Sequence, residues 1–555
     1  MVSNRLGKYL APALAGIVLI LSLPTSPVQA NQLEPPPGYY VLPPYKLPAN
    51  PTDLDKQLLT TMEKYKVVGL SAAVFNERKL IWNGSYGWAD LATDRTVNTE
   101  TVFRAASLSK MITATALMQL YEQGKFGLDD DISQYLGYQI RNPRYSDVKI
   151  TFRQLLTHTS SIVDSGAYTT ILEGTPALLQ EIDIQDMLVP DGQYYDPGTF
   201  GNYAPGTQFS YSNFGTGIVG TLVEKISGLP FDKYCTKYIF QPLDMSASFE
   251  PSDIINWQNI AVLYRPDASL TSFRPTKDNY NGTKPTPATS AGALAHSPAG
   301  GLRTNSTDLA KFLQVHMNGG MVKQHTRILK PDTADLMHSM QWFGYSMSGF
   351  YKQKGLNFHI TDDLVPGKRL VGHSGEAYGL SGDAYYDPDS KLGIVFLMNG
   401  ANLIDANPYY SVENAIAKTL FTTFAPKASN KPKQIKAKAG ASFITVNNRK
   451  IFLQTPVSII KTGKKQLLYL PAITAADTLS TGLEQTDDTV TFTIAESKAT
   501  LTAGQASMTV NSKTLPLPQA PYIQNGQLLV PVRELAAALK IKIIFSLSLS
   551  GYTPH

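Results

Sequence analysis

The feature that most constrains this chain is where its strand-like runs fall. An apolar run, Val67 to Phe75, is followed by Lys79 to Trp82 and Ser85 to Trp88, with Asn83-Gly84 read as a hairpin turn. Strand patterns then lapse and return only at Leu370 to Val371, Ser381 to Tyr386 and Leu392 to Met398. Helical and loop segments dominate from about residue 105 to 340. Strands at both ends with helices between predict one antiparallel sheet closed by both termini of an α+β domain. Helical patterns at Asp53 to Lys64 and Val412 to Phe421 bracket it.

Composition marks the boundaries. Arg5 and Lys8 precede the apolar stretch Tyr9 to Leu23, and Val28-Gln29-Ala30 fits a cleavage site. Residues 1–30 are therefore expected to be a secretory signal, too short and too quickly followed by Pro24 and Pro27 to span a bilayer. No other run is long and apolar enough for a stable membrane span. Residues 31–50, with Pro35, Pro36, Pro37, Pro43 and Pro44, read as a linker or a surface strap. The main domain runs over 51–426. Lys427, Lys431, Lys433, Lys436 and Lys438 predict a basic linker at 427–440. The tail, 441–555, holds a weak internal repeat. Val446-Asn447-Asn448 leads to Lys461–Pro471 and an Ala-rich stretch; Val510-Asn511-Ser512 leads to Ile523–Pro531 and a helix, Arg533 to Leu539. The repeat predicts a small β-rich α+β domain.

The net charge of +5 over 555 residues is too small to suggest nucleic acid. It hides a division. From residue 427 onward fifteen Lys and Arg face six Asp and Glu, and the leader adds Arg5 and Lys8, so residues 31–426 carry about six negative charges in excess. A basic tail on an acidic body is either a solvated face or a contact for an anionic wall polymer or membrane surface. The lone cysteine, Cys235, lies in a helix-like stretch and is read as packing. One cysteine allows neither an intrachain disulfide nor a Cys-based metal centre. His296, His316, His325, His338 and His359 lack metal-ligand spacing, which argues against a metallohydrolase and leaves them surface or packing roles. No cofactor is expected.

The chemistry-bearing stretch is Phe103-Arg-Ala-Ala-Ser107-Leu-Ser-Lys110, continuing to Tyr121. Met111, Ala114, Met118 and Tyr121 fit one helical face, and Ser107 sits at the start. Residues i and i+3 meet on a helix, so Lys110 can reach Ser107. A serine hydroxyl needs a base, and a desolvated lysine can serve. Ser109, one residue from Lys110, does not face it.

Tyr211-Ser212-Asn213 and His373-Ser374-Gly375 follow in order. These motifs resemble the serine β-lactamase and penicillin-binding superfamily, whose three elements line one cleft. Gly87-Trp-Ala-Asp-Leu, Gly124-Lys-Phe-Gly-Leu-Asp-Asp, Ile150 to Ser160 and Ala299 to Ala310 extend the likeness over about residues 51–425. Tyr in the second motif is similar to the class C branch, which also holds DD-peptidases, D-aminopeptidases, D-stereospecific peptidases and esterases. The resemblance implies a β-lactamase/transpeptidase-like fold: an antiparallel sheet flanked by helices, plus an all-helical lobe. It implies Ser107 as nucleophile, Lys110 as base, alone or through Tyr211, and Tyr211 as proton donor to the leaving group. Asn213 would bond a substrate amide and hold Lys110. His373, Ser374 and Gly375 would form the strand edge beside substrate. The backbone N–H groups of Ser107 and Glu376 would form the oxyanion hole. His158 is read as a structural hydrogen bonder. Lys461-Thr462-Gly463 is read as a turn in the tail, not the third motif.

His373 stands where β-lactamases usually carry Lys, so a substrate carboxylate would be held weakly or pH-dependently. Ser161 stands where relatives commonly have Gly. The aromatic-rich stretch Ile162 to Ala204 is either a cover for the cleft or a structured excursion, and Met337 to Tyr351, with Trp342, Phe343, Tyr345 and Phe350, could wall the other side. The tail, over about 441–546, resembles the copper-amine-oxidase N-terminal-like domain, yet its only histidine is His555, so a copper site is not expected. The reading is an exported serine peptidase acting through an acyl-enzyme on D-residue-containing peptides, either wall peptides or peptide antibiotics. A carboxylesterase, a β-lactamase or penicillin-binding protein, and a non-catalytic wall-binding protein are the alternatives.

Overall fold

The computed structural model describes residues 37–548, apart from 174–182, 288–291, 293–296, 324–325, 345–351, 367, 405–407, 427–430, 464, 487 and 495. The expected signal, the start of the linker, Lys427, His296, His325, His555 and 345–351 of the second wall lie outside the described residues.

Nine strands form one antiparallel sheet: β1 (Gly69–Asn76), β2 (Leu80–Asp90), β3 (Arg95–Thr96), β4 (Trp342–Phe343), β5 (Gln353–Lys354), β6 (His359–Thr361), β7 (Leu370–Ala377), β8 (Leu380–Asp387) and β9 (Leu392–Met398). Their order is β4-β5-β6-β7-β8-β9-β1-β2-β3. The two ends of the domain meet where β9 pairs with β1, from Leu392 opposite Asn76 to Met398 opposite Leu70. The expected closure by both termini is thus found. One detail differs: Asn83 and Gly84 lie in the middle of β2, opposite Ala73 and Ala72. The hairpin turns earlier, where the Asn76 side chain accepts the N–H groups of Arg78 and Lys79. That Asx-type turn, followed by a register shift between Val74 and Phe75 and then regular pairing through Asn83 and Gly84, overrides the local Asn-Gly signal.

The helices that position the site and cover the sheet are α1 (Asp53–Tyr65), α2 (Ser109–Glu122), α3 (Asn213–Ser227), α4 (Ser306–Met317), α5 (Pro331–His338) and α6 (Ser411–Phe424). One sheet face is closed by α1 and α6, with Leu58, Met62, Val74, Phe396, Ile416 and Leu420 buried between them. The other face, through Phe75, Val395 and Leu397, joins the larger core of the helical lobe. Helix α2 is buried from Ser109 to Leu120. It is a central helix enclosed all round, not the one-faced helix its spacing suggests. The strap reading of the Pro-rich segment fits residues 37–50. Tyr40–Val41 pairs with Ser272–Phe273, and Tyr45 donates its hydroxyl to Val67 O at 2.6 Å.

In the tail the basic linker needs correction. Lys433–Lys438 is a strand, paired antiparallel with Phe443–Val446 and parallel with Ile543–Ser548. Ile435 and Ala437 are buried while Lys436 and Lys438 face solvent. The period-two alternation of a half-buried strand outweighs the density of charge. The repeat is real. Asn447-Asn448 and Asn511-Ser512 occupy matching left-handed turns, and Pro471 and Pro531 lead into the helices Ala472–Leu479 and Val532–Ala538. The two units join where Leu470 pairs with Val530. Of Lys461-Thr462-Gly463, Lys461 and Thr462 end a strand, paired with Gln466 and Lys465, and only Gly463, at φ 61°, lies in the turn.

Candidate active site

Ala106–Leu108 make a 3₁₀ turn that runs into α2 at Ser109. The turn holds Ala106 at φ 46°, in the left-handed region, at a cost of about 1–2 kcal/mol for an L-residue. It presents Ser107 to Lys110. The Lys110 Nζ lies 3.1 Å from Ser107 Oγ, 2.8 Å from Asn213 Oδ1 and 2.9 Å from Ala299 O. Burial pulls its pKa down to about 7, and the Asp164 carboxylate opposes the fall. A good share of the amine is therefore neutral near pH 7 and able to take the Ser107 proton. The rival hydroxyl is occupied: Ser109 Oγ donates to Ala106 O at 2.6 Å and accepts from Leu302 N at 3.1 Å.

Asn213 opens α3. Its Nδ2 donates to Asp164 Oδ2 at 2.8 Å, so its oxygen must face Lys110. Asp164 also accepts the Phe214 N–H and the Ser212 hydroxyl. Tyr211 lies just before α3. The Lys110 Nζ stands 4.7 Å from its ring centroid, and the His158 ring 4.5 Å. His158 Nδ1 accepts the Ser212 N–H at 3.2 Å, which fits a structural hydrogen bonder.

The third motif lies on β7. His373 is buried with its ring 6.4 Å from that of Tyr211. Its Nδ1 sits 2.6 Å from Ser374 O, so Nδ1 carries the proton and Nε2 the lone pair. Burial, with Lys110 and Lys354 nearby, holds its pKa well below the ordinary range. His373 is thus neutral at neutral pH, not partly charged as its residue type alone suggests. Gly375 lets β7 approach the turn that carries Ser107: a methyl there would lie 2.7 Å from Ala105 O. Glu376, the next residue, sits opposite Ser381, and its carboxylate accepts the Tyr410 hydroxyl at 2.9 Å.

Sequence reasoning missed Asp164 and Lys354, and read His359 only as a surface or packing residue. Lys354 on β5 is buried, with its Nζ 5.1 Å from the Phe209 ring centroid and 5.9 Å from that of Tyr211. His359 stacks on His373 with centroids 3.7 Å apart. Asp164 follows the His158-Thr-Ser stretch and could have been sought there; nothing in the spacing announces the other two. Of the 162–204 stretch, in which 174–182 lie outside the described residues, Ile162 bridges to Phe200 and Tyr168 stacks on Phe214. Trp342 stacks on Phe209 at 5.1 Å. Cys235 is buried and packed as read.

The comparisons with known proteins agree with this geometry. The Beta-lactamase family model matches residues 54–414, and the Copper amine oxidase N-terminal domain model matches 463–547. The chain belongs to the Beta-lactamase family, and it is a serine hydrolase. A β-lactamase of Yersinia enterocolitica is 26% identical over 63% of this chain and 86% of its own. Penicillin-binding protein 4 of Amycolatopsis lactamdurans is 27% identical over 61% and 82%. Among solved structures, the octameric penicillin-binding protein homologue of Pyrococcus abyssi superposes with a TM-score of 0.53, 19% identity, over 86% of this chain and 99% of that one. The D-amino acid amidase of Ochrobactrum anthropi gives 0.51, 19%, over 67% and 100%. These share the β-lactamase/transpeptidase-like fold. The tail does not fit copper: from 431 to 548 it offers neither histidine nor cysteine. Among the described residues no group of three or more His, Cys, Asp and Glu could hold a metal, and no helix is long and apolar enough to cross a membrane.

Proposed function

We propose that this protein is an exported hydrolase that cleaves amide bonds of D-residue-containing peptides through an acyl-enzyme on Ser107. The observation that carries the reading is the contact of partly buried Ser107 with the buried Lys110, whose pKa is pulled down to about 7 and whose amine Asn213 holds. Ser107 Oγ attacks the carbonyl carbon as its proton passes to Lys110, directly or through Tyr211. The C–N bond breaks as Tyr211 protonates the leaving amine. Water, giving its proton to the same groups, attacks the ester; the acid leaves and Ser107 regains its proton. The Ser107 and Glu376 N–H groups receive the oxyanion. Asn213, His373, Ser374 and Gly375 border the substrate.

A neutral His373 offers no charge to a substrate carboxylate. This favours a substrate without one at that position, an internal peptide bond or an amino acid amide, over a carboxyl-terminal peptide or a β-lactam. The same observation suits a carboxylesterase, the second reading. Residues 1–30 would direct export, and the basic tail would meet an anionic wall polymer.

The test is turnover by the full protein and Ser107→Ala of matched D- and L-amino acid amides, D-residue peptides, a short-chain ester and a chromogenic cephalosporin. Fast cleavage of the D-amides, lost in Ser107→Ala, is expected. Ester turnover without amide cleavage would establish the esterase instead.

A further inference from the structure

We propose that Lys354 is a positioning residue of this site: it supplies, from a strand two places removed from the third motif, the second amine beside Tyr211. The inference rests on the Ser107 acyl-enzyme reading. The third motif carries His373, so no lysine stands on β7. Lys354 faces His359 across β5 and β6, His359 pairs with Gly372 on β7, and its ring stacks on His373. Through this ladder the Lys354 Nζ reaches 5.9 Å from the Tyr211 centroid, while Lys110 stands 4.7 Å from it. Lys354 is only 1% exposed, and its amine lies over the rings of Phe209 and Tyr211. Its strand is held from outside. The Gln353 side chain accepts from Arg369, and Arg369 is bonded to Asp477 of the C-terminal domain.

The titratable groups around this amine are Lys110, His158, His359, His373 and Tyr211. Burial and the neighbouring Lys110 hold the Lys354 pKa well below the ordinary lysine range. Two amines in one buried site resist being charged together and titrate as a pair. The proposed role requires that the pair share a single proton at the working pH. The neutral amine takes the Ser107 proton, and the charged one stabilises negative charge on the Tyr211 oxygen. Activity falls on the acid side when both amines are protonated and on the alkaline side when neither is.

The experiment is the pH profile of kcat/KM for p-nitrophenyl acetate, with melting temperatures recorded alongside, in the full chain, Lys354→Met and Ser107→Ala. Lys354→Met should lower kcat about 30-fold with KM within about threefold, and its profile should lose the alkaline limb. A purely structural role lowers the rate and leaves both limbs in place, as an unchanged rate also would; either result overturns the proposal. If Lys354→Met does not fold, Lys354→Gln, which keeps length and polarity, is measured against the same criteria. Activity surviving in Ser107→Ala would remove the underlying reading. A dead Ser107→Ala with both limbs intact in the Lys354 variants removes this inference alone.

Discussion

Gly375 lies where the third motif touches the turn that carries Ser107. A methyl group there would sit 2.7 Å from Ala105 O and 3.0 Å from Leu108 Cγ, and backbone cannot yield as a side-chain tip can. Gly375→Ala should push β7 from Ser107 and lower kcat/KM about 100-fold, ~2.7 kcal/mol of barrier, read in the turnover assay. Lys110 gives a second expectation. It must be neutral to accept the Ser107 proton, so kcat/KM should rise with pH through about 7, its pKa in the fold. A rate already flat from pH 5 would contradict that role. Ser107 and Lys110 were legible in their i, i+3 spacing, and Tyr211 and Asn213 only through the resemblance of their motif. Lys354 was not, because β-pairing across three strands brings it in and no local spacing encodes that. Ser161 shows the reverse case: its φ of 63° explains why relatives commonly place Gly there.

Helix α2, which positions Lys110, is tied to the sheet by a one-way chain of hydrogen bonds. Thr115 spends its hydroxyl proton on Met111 O, so it accepts from His316 Nε2 at 2.9 Å. His316 Nδ1 therefore accepts from His338 Nε2 at 3.0 Å, and His338 Nδ1 accepts the Tyr386 hydroxyl at 2.9 Å. Protonating His316 at Nδ1 sets two N–H groups against each other and breaks its link to His338, while protonating His338 at Nδ1 reverses its bond to the Tyr386 hydroxyl. Burial accordingly holds His316 down at about 3 and His338 well below its ordinary value. For a base whose folded pKa is depressed, the unfolded chain binds the extra proton. Stability is then full above about pH 6.5 and falls from there toward pH 3, at up to ~1.4 kcal/mol per pH unit for each histidine. Urea unfolding from pH 7.5 to 4 should show the decline, and His316→Gln should reduce its slope; a slope unchanged in the variant would refute the account of the chain. The sequence placed α2 well but misjudged its surroundings. Its period marks one face, whereas the helical lobe wraps every face. Lys433–Lys438 was misread for a related reason, since charge density hid a period-two strand.

At the scale of the whole molecule the tail is part of one packed unit. The Arg369–Asp477 ion pair across the domains is almost fully buried, Lys433 reaches Asp389 at 2.6 Å, and Lys450 N donates to Asp335 at 2.8 Å. Asp477→Ala leaves Arg369 buried without its carboxylate, a change worth about 3–5 kcal/mol. Calorimetry should then show the tail melting ahead of the body, where the parent melts in one transition. A single unshifted transition in the variant would mean the pair does not couple the domains. The division into an acidic body and a basic tail was readable from composition. That some of the basic charge is used internally, against Asp389 and Asp332, was not.

The central claim is that Ser107 carries the acyl group. Intact-mass analysis after rapid acid quench of the protein with a D-amino acid p-nitrophenyl ester tests it most directly. The account predicts a mass increase equal to the acyl group, on the peptide that contains Ser107 and absent in Ser107→Ala. Turnover without any such adduct, or an adduct that persists in Ser107→Ala, would contradict it.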